Sequence, residues 1–358
     1  MSAPLPPNAV IGMLGGGQLG RLMAIEAARL GFRVHTYSPE EKAPAYDVSA
    51  KAFIGSYTDP KTLLPFAESC DVITYEFENV PAECASILAG SGKPVYPPAL
   101  ALEKSQDRLI EKTFLNDIGV PTVAFQSVES LEQLDSALAA FGGQGVLKRR
   151  REGYDGKGQL VIRGDYSSPA ASNLLEKPCI LEAFCPFDLE ISVVLARSTS
   201  GEMRAFDPPH NIHEDGILRT SILPAPISED IARNAVEAAE KLAEALEYVG
   251  VLALEFFVKS DGTLVANEFA PRVHNSGHWT PEGCMTGQFE QHIRAVAGWP
   301  LGPQDRLFDL EMHNLLGEDI YKLPAGFPSD AKLVGYGKAA ARPGRKMGHI
   351  VIRQRRTS

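Results

Sequence analysis

The chain has 358 residues and a mass of 38.7 kDa, too long for one simple core and enough for two or three domains. Hydrophobic residues at 44% and charged residues at 22% suit an ordinary folded protein, and no apolar run reaches the ~20 residues that cross a bilayer. The formal charge of −10 disfavours a general nucleic-acid binder, and five scattered cysteines without C-x-x-C spacing disfavour a zinc site or a disulfide framework.

Met1 to Val10 carries no positive charge and three prolines, so it reads as neither a signal nor a transit peptide, and a reducing cytoplasm is expected. Ala9–Leu14 predicts a strand, Gln18–Leu30 a helix, Arg33–Tyr37 a second strand and Asp71–Glu76 a third. Strands alternating with helices imply a parallel sheet covered on its faces, hence an α/β fold with a Rossmann-like first unit. Val95-Tyr96-Pro97-Pro98 reads as an extended linker, and Leu102–Ile118 as one helix ended by Gly119 and Pro121. Residues 122–182 are rich in glycine and short strands, including Val146–Lys148 and Gln159–Ile162. Ser228–Leu246 predicts a helix, and Val251–Lys259 with Thr263–Phe269 predict a hairpin about Asp261-Gly262. The last sixty residues form a smaller, basic unit. The domains expected are therefore 1–100, 101–297 (with 122–182 as a lid) and 298–358.

Gly15-Gly16-Gly17-Gln18-Leu19-Gly20 follows a strand and opens a helix, the spacing at which glycines let a phosphate approach unpaired N–H groups. A dinucleotide site also wants an acid at the end of the second strand. Here that strand ends Tyr37-Ser38-Pro39 and Glu40 comes late, so a ligand-facing turn is favoured over NAD, with a plain tight turn as the bland alternative. Lys148-Arg149-Arg150-Arg151 leads into Glu152-Gly153-Tyr154-Asp155-Gly156-Lys157-Gly158-Gln159, which lacks Walker spacing. Its glycines and cations suit a lid laid over polyphosphate better than a solvated hairpin.

If Asp261-Gly262 is a two-residue turn, Glu255 falls directly opposite Glu268. Two carboxylates ~5 Å apart repel by about 3 kcal/mol at an effective dielectric near 20. A divalent cation relieves that repulsion, and oxygen-only ligands indicate Mg²⁺ with phosphate completing the shell. A slipped register or a neutralising Arg or Lys is the alternative, and Asn267 is expected on the opposite strand face. The polar run Ala270 to Thr280 follows at once and reads as a ligand-binding loop. His210-Asn211-Ile212-His213 fits a polar loop better than a zinc helix. Arg342-Pro343-Gly344-Arg345-Lys346 suits a clamp on a substrate phosphate, without the aromatic platforms of a nucleic-acid patch.

Together these motifs resemble the 5-(carboxyamino)imidazole ribonucleotide synthase family of ATP-grasp enzymes. The resemblance spans nearly the whole chain and is most specific in Arg272-Val273-His274-Asn275-Ser276-Gly277-His278-Trp279 and in Arg342 to His349. It implies a Rossmann-like N-terminal domain, a central ATP-grasp domain with a lid subdomain, and a small C-terminal domain. It further implies an ATP site of Arg108, Lys148, Gly153 to Gln159 (Gly153, Tyr154, Asp155, Gly156, Lys157, Gly158, Gln159), Glu182, Ala183, Phe184, Cys185, Glu190 and His213, bordered by Asn267 and Glu268. Glu255 with Glu268 would hold Mg²⁺. Tyr154, Asp155, Arg272, His274, Asn275, Lys338, Arg342 and Arg345 would face bicarbonate and the aminoimidazole ribonucleotide, with Gln18 and Glu76 as candidates for its ribose. The adenine contacts at 182–185 are expected from the backbone. A cytoplasmic homodimer acting on small molecules, with no nucleic acid or membrane partner, is the implied setting.

The chemistry implied is carboxylation of the ribonucleotide amine through carboxyphosphate, formed from ATP and bicarbonate under a lid that excludes water. The rivals are another ATP-grasp ligase using formate or a different amine, an NAD-dependent oxidoreductase, and a non-catalytic nucleotide sensor.

Overall fold

In the computed structural model the described residues are 3–151, 153, 158–166, 168–322 and 330–354. Strands β1 (Val10–Leu14), β2 (Arg33–Ser38), β3 (Lys51–Ile54), β4 (Val72–Tyr75) and β5 (Val95–Tyr96) are all parallel, in the order β3-β2-β1-β4-β5. Helices α1 (Gln18–Arg29), α2 (Pro60–Glu68) and α3 (Ala82–Ala89) make the crossovers. The four residues of β4 are all buried, the mark of a strand covered on both faces. Strand order reverses at β1, so the loops leaving β1 and β4 part at their carboxyl ends and open a crevice. The stretch expected as a linker supplies the edge strand β5, paired Ile73↔Val95 and Thr74↔Tyr96. Prolines directly after a two-residue edge strand cost it no ladder hydrogen bond.

The helix expected from 102 to 118 is broken into α4 (Ala99–Ser105) and α5 (Arg108–Asp117). Asp107 turns extended between them, and its Oδ1 accepts the Leu109 N–H at 3.0 Å as an N-cap. Apolar spacing runs through this break, which is why periodicity did not reveal it. The break starts α5 at Arg108, beside the cleft.

Residues 125–183 form an antiparallel sheet, β6 (Phe125–Val128), β7 (Gln144–Arg149), β8 (Gln159–Arg163) and β9 (Cys179–Ala183), ordered β6-β9-β7-β8. Two helices not expected from the sequence cover it, α6 (Leu131–Ala140) and α7 (Ser168–Leu174). Ser130 and Gln133 announce α6: the serine accepts the Gln133 N–H, and the Gln133 side chain accepts the Glu129 N–H.

The largest sheet comprises β10 (Leu189–Arg197), β11 (Met203–Ala205), β12 (His210–Glu214), β13 (Ile217–Leu223), β14 (Gly250–Val258), β15 (Leu264–Ala270), β16 (Leu310–Leu316), β17 (Ala331–Gly335) and β18 (Lys346–Arg353). Its order is β15-β14-β10-β12-β13-β16-β18-β17, with β11 beside β10, so strands of the last sixty residues extend this sheet. Helix α8 (Glu229–Ala245) packs on one face, and α9 (Thr280–Gly283) and α10 (Gln288–Val296) follow β15. The segment His210–His213, expected in a loop, is an interior strand. Its buried position is Asn211 and its exposed one is Ile212, an inverted alternation that hides a strand from a hydrophobicity reading.

The first and last thirds share a core: Ile11, Met13 and Leu22 lie in one cluster with Val251, Phe289, Ile293 and Leu310. At its centre the His292 Nδ1 accepts the Val251 N–H at 3.1 Å, leaving the Nε2–H for Thr74 Oγ1 at 2.8 Å. Burial pushes this imidazole down to about 4, so it is neutral. No helix among the described residues is long and apolar enough to cross a membrane.

Glu76, directly after β4, turns its carboxylate onto the start of α1 as an acceptor. One oxygen accepts the Gly17 N–H and the other the Gly20 N–H at 2.7 Å. The helix end that a phosphate could have occupied is thus capped by the chain's own anion. Gly15 sits at φ +106, and a Cβ there would lie 2.2 Å from Glu76 Cγ, so only glycine fits. Glu76→Gln is expected to cost about 1–3 kcal/mol, since an amide group replaces one acceptor of two buried N–H bonds. Urea unfolding curves check this, and an unchanged midpoint would contradict the capping role.

Candidate active site

A cleft of about 720 Å³ lies where the crevice of the parallel sheet meets the four-stranded sheet and the ends of β14 and β15. The two central carboxylates reach it by a route different from the one expected. Lys259 and Thr263 are paired, so the hairpin loop has three residues, Ser260-Asp261-Gly262, with Gly262 at φ +81. That shifts the register by one residue, giving Val258↔Leu264 and Phe256↔Ala266. A bulge then restores the expected register at Leu254↔Phe269, so Glu255 faces both Asn267 and Glu268. Asn267, expected on the far face, therefore lines the same cleft, and its buried Oδ1 has no hydrogen-bond partner among the described residues.

Burial first, and then the charge of Glu268, push the Glu255 carboxyl up to about 7. Glu268 is held down at about 2: burial opposes ionisation, and Arg108, whose Nη1 lies 2.5 Å away, more than offsets it. Arg108 Nη2 also donates to the Gly153 carbonyl at 3.2 Å. The two carboxylates and the Asn267 amide thus line one cleft, a donor set suited to a hard divalent cation. Glu255 is also within 3.2 Å of His274 Nε2, and burial pushes that imidazole down to about 3.

A second charged cluster flanks the first. Lys148 Nζ donates to Glu182 Oε2 at 2.8 Å, and Lys112 Nζ lies 3.4 Å from Glu182 Oε1 and donates to the Asn267 carbonyl at 2.9 Å. Burial favours the neutral carboxyl, but the two ammonium groups pull Glu182 below its ordinary range. With its side chain so engaged, Glu182 is left with backbone for any ligand. Strand β9 ends at Ala183, so Phe184 and Cys185 lie beyond the ladder at the cleft's edge. Nearby the rings of Phe187 and Phe257 stack with centroids 4.5 Å apart, and Val123, Val146 and Val161 complete an apolar wall. Glu190 Oε2 and His213 Nδ1 pair at 3.0 Å on the same rim. Burial alone would lower His213, but Glu190 and Glu255 outweigh it and raise this imidazole.

Gln18, Glu76, Arg272, His274, Asn275 and Lys338 all line the cleft, with Gly153 and Gln159. Arg272 is gripped by Glu78 through both Nε and Nη2, the latter at 3.0 Å, a forked pair that aims the guanidinium. Asn275 is 7% exposed, and among the described residues neither of its side-chain polar atoms has a hydrogen-bond partner. Gly158 does not line the cleft; its carbonyl accepts the Arg149 N–H at 2.9 Å. Arg342 and Arg345 are not among the cleft residues either: Arg342 is exposed, and Arg345 Nη1 donates to the Ala340 carbonyl at 2.8 Å. Lys346, which follows them at the start of β18, lines the cleft instead, because a strand pins it where the preceding turn swings away. Arg150, grouped with the lid cations, forks onto Asp107 with two bonds of 2.9 Å. Tyr154, Asp155, Gly156 and Lys157 lie outside the described residues. Glu78 and Lys112 were missed in the sequence, since nothing near them signals partners 194 and 70 residues away.

Three domain families match the chain: the ribonucleotide synthetase preATP-grasp domain over residues 8–106, the ATP-grasp domain over 113–289, and the phosphoribosylaminoimidazole carboxylase C-terminal domain over 311–357. An N5-carboxyaminoimidazole ribonucleotide synthase of Brucella melitensis is 52% identical, over 99% of this chain and 98% of its own. An ADP complex of an N5-carboxyaminoimidazole ribonucleotide synthetase superposes with a TM-score of 0.95 at 40% identity, covering 99% of this chain and 94% of the other. An Aspergillus clavatus N5-carboxyaminoimidazole synthase solved with ADP and 5-aminoimidazole ribonucleotide gives 0.90 at 29% identity, covering 97% and 94%.

The buried charge lattice has a measurable consequence. Lys112→Met leaves Glu182 with one cation and is expected to cost about 3–5 kcal/mol of stability, because breaking a buried pair strands a charge. Urea denaturation measures it, and a loss below about 0.5 kcal/mol would place Lys112 outside the lattice.

Proposed function

The chain belongs to the N5-carboxyaminoimidazole ribonucleotide synthase family, ATP-grasp ligases of purine biosynthesis, and from that premise we propose how its residues divide the chemistry. ATP enters with adenine against Phe187, Phe257 and the valine wall, its edge read by the backbone of Glu182 to Cys185. Arg108 and Lys148 meet the phosphates, to which the resemblance also assigns Gly153 to Gln159. The observation that carries this reading is the bulge that gathers Glu255, Asn267 and Glu268 beside those two cations. Those three residues would hold Mg²⁺, whose chemistry is to neutralise charge on the transferring phosphoryl group.

Bicarbonate is a poor electrophile, so its oxygen first takes the γ-phosphoryl group and ADP leaves. The amine of aminoimidazole ribonucleotide then attacks the carbonyl carbon of carboxyphosphate, or the CO₂ it releases. Phosphate departs and the amine loses a proton. Arg272, aimed by Glu78, Asn275, whose amide has no partner among the described residues, and His274 surround the bicarbonate in this assignment. Tyr154 and Asp155 belong with them by resemblance, Asp155 orienting or deprotonating the amine. Gln18 and Glu76 face the ribose across the crevice, and Lys338 with Lys346 face the substrate phosphate. Arg342 and Arg345 act at most from outside that shell. Resemblance also supports a cytoplasmic homodimer.

ADP release with ATP, Mg²⁺ and the ribonucleotide, with and without bicarbonate in CO₂-depleted buffer, tests the reaction. Bicarbonate-dependent release with matching loss of ribonucleotide is expected, and release indifferent to bicarbonate would reject it.

Glu268→Gln is expected to lower ATP turnover at least about 100-fold, through the lost cation ligand and an unpaired Arg108. Near-normal turnover would sink the metal assignment. Lys338→Ala is expected to raise the KM for the ribonucleotide roughly 10-fold and leave that for ATP nearly unchanged, with Arg342→Ala near wild type. A larger effect at Arg342 would return the clamp to that turn. A cation must displace the Glu255 proton below about pH 7, so its apparent affinity is expected to fall up to tenfold per pH unit there and to level off above. Calorimetric Mg²⁺ titration in the presence of nucleotide checks the sign.

A further inference from the structure

Beneath the cleft a row of polar side chains crosses four adjacent strands of the large sheet. Ser192 is the register partner of Glu255, and Ser221 is that of Asn211. Ser192, Ser221 and Ser276 are fully buried and Asn211 is 4% exposed, in a sheet whose other inward positions are largely apolar. Such groups are costly in a core unless each finds its partner.

We propose that Ser221, Asn211, Ser192 and Ser276 form a one-directional hydrogen-bond relay that holds the proton of His274 on Nε2, aimed at Glu255. The direction comes from Asn211, whose Oδ1 only accepts and whose Nδ2 only donates. Ser221 Oγ donates to Asn211 Oδ1 at 2.7 Å, and Asn211 Nδ2 donates to Ser192 Oγ at 2.9 Å. Ser192 then has its own proton for Ser276 Oγ at 2.7 Å. The Ser276 hydroxyl proton is left for His274 Nδ1 at 2.8 Å, where the Ser276 backbone N–H also points, at 3.4 Å. Two donors directed at Nδ1 require its lone pair, so the neutral ring carries hydrogen on Nε2, 3.2 Å from Glu255 Oε1. The opposite tautomer would set the Nδ1 hydrogen against the Ser276 hydroxyl proton and backbone N–H. These four side chains touch no substrate in the arrangement proposed above; they are positioning residues that act through His274. Their effect is to tie down one oxygen of Glu255 and so restrict the rotation of that carboxylate. This consequence for catalysis rests on Glu255 being the cation ligand, whereas the tautomer does not.

The test uses the full chain with ¹⁵N-labelled histidine and two-bond ¹H–¹⁵N correlation spectra, recorded without nucleotide or cation. His274→Gln assigns the signal. Wild type is expected to show the Nε2–H pattern for His274. Ser276→Ala, with only the distant N–H left at Nδ1, is expected to show mixed tautomers. Asn211→Asp removes the donor that sets the direction and is expected to do the same. The Mg²⁺ concentration for half-maximal ADP release is expected to rise about 10-fold in both variants. An Nδ1–H pattern in wild type overturns the relay, whatever the fate of the variants. So does an unchanged Nε2–H pattern in folded Ser276→Ala. Mixed tautomers with an unchanged Mg²⁺ requirement uphold the relay and count against Glu255 as the cation ligand.

Discussion

Like charges placed side by side in a protein interior must be separated, neutralised or bridged, and Glu255 and Glu268 face each other across a single bulge. Much of what surrounds them answers that constraint. Arg108 takes the charge of Glu268, while Glu255 keeps a proton to about pH 7. Lys148 and Lys112 share Glu182 on the other side. Carboxylates and cations therefore alternate through the buried floor of the cleft, and each is held by a neighbour on a different strand or helix. A triphosphate with its cation adds both signs of charge to such a floor, which is why this lattice suits that ligand better than a neutral one.

The position of the lattice depends on a core shared between distant parts of the chain. Helices α1 and α10 pack together, and His292 bonds to Thr74 of the parallel sheet and to Val251 of the large one. The crevice at the ends of β1 and β4 is thereby brought against the bulge. Glu76 closes the adjoining helix end with its own carboxylate. The same glycine spacing that elsewhere cradles a phosphate serves here to admit a side chain.

Charge also explains which basic residues matter. Arg150 and Arg151 turn back onto Asp107, which is at once the N-cap of α5 and their counter-ion. Burial pushes the Asp107 carboxyl up, and the two guanidiniums with the Leu109 N–H together bring it below its ordinary value. A run of cations beside glycines looks uniform along the chain, but among its described residues only Lys148, on β7, faces the cleft.

From the sequence alone came the α/β class, strands β1, β2, β4, β7, β8, β14 and β15, helices α1 and α8, the family, and the facing of Glu255 and Glu268. The family came by resemblance of motifs; the rest is set by short-range physics, namely apolar periodicity, glycine at tight turns, and a hairpin's two-residue side-chain period. That pairing was reached through a turn of the wrong length, and the bulge that corrects it also turned Asn267 inward. Only the tertiary structure decided that Asp107 breaks a helix, that His210 to His213 is an interior strand, and that Lys346 lines the cleft in place of Arg342 and Arg345. Arg108 meets Glu268 across 160 residues and Arg272 meets Glu78 across 194. Such partners leave no local mark, because their attraction acts only after the apolar faces of three sheets have packed and brought them within reach.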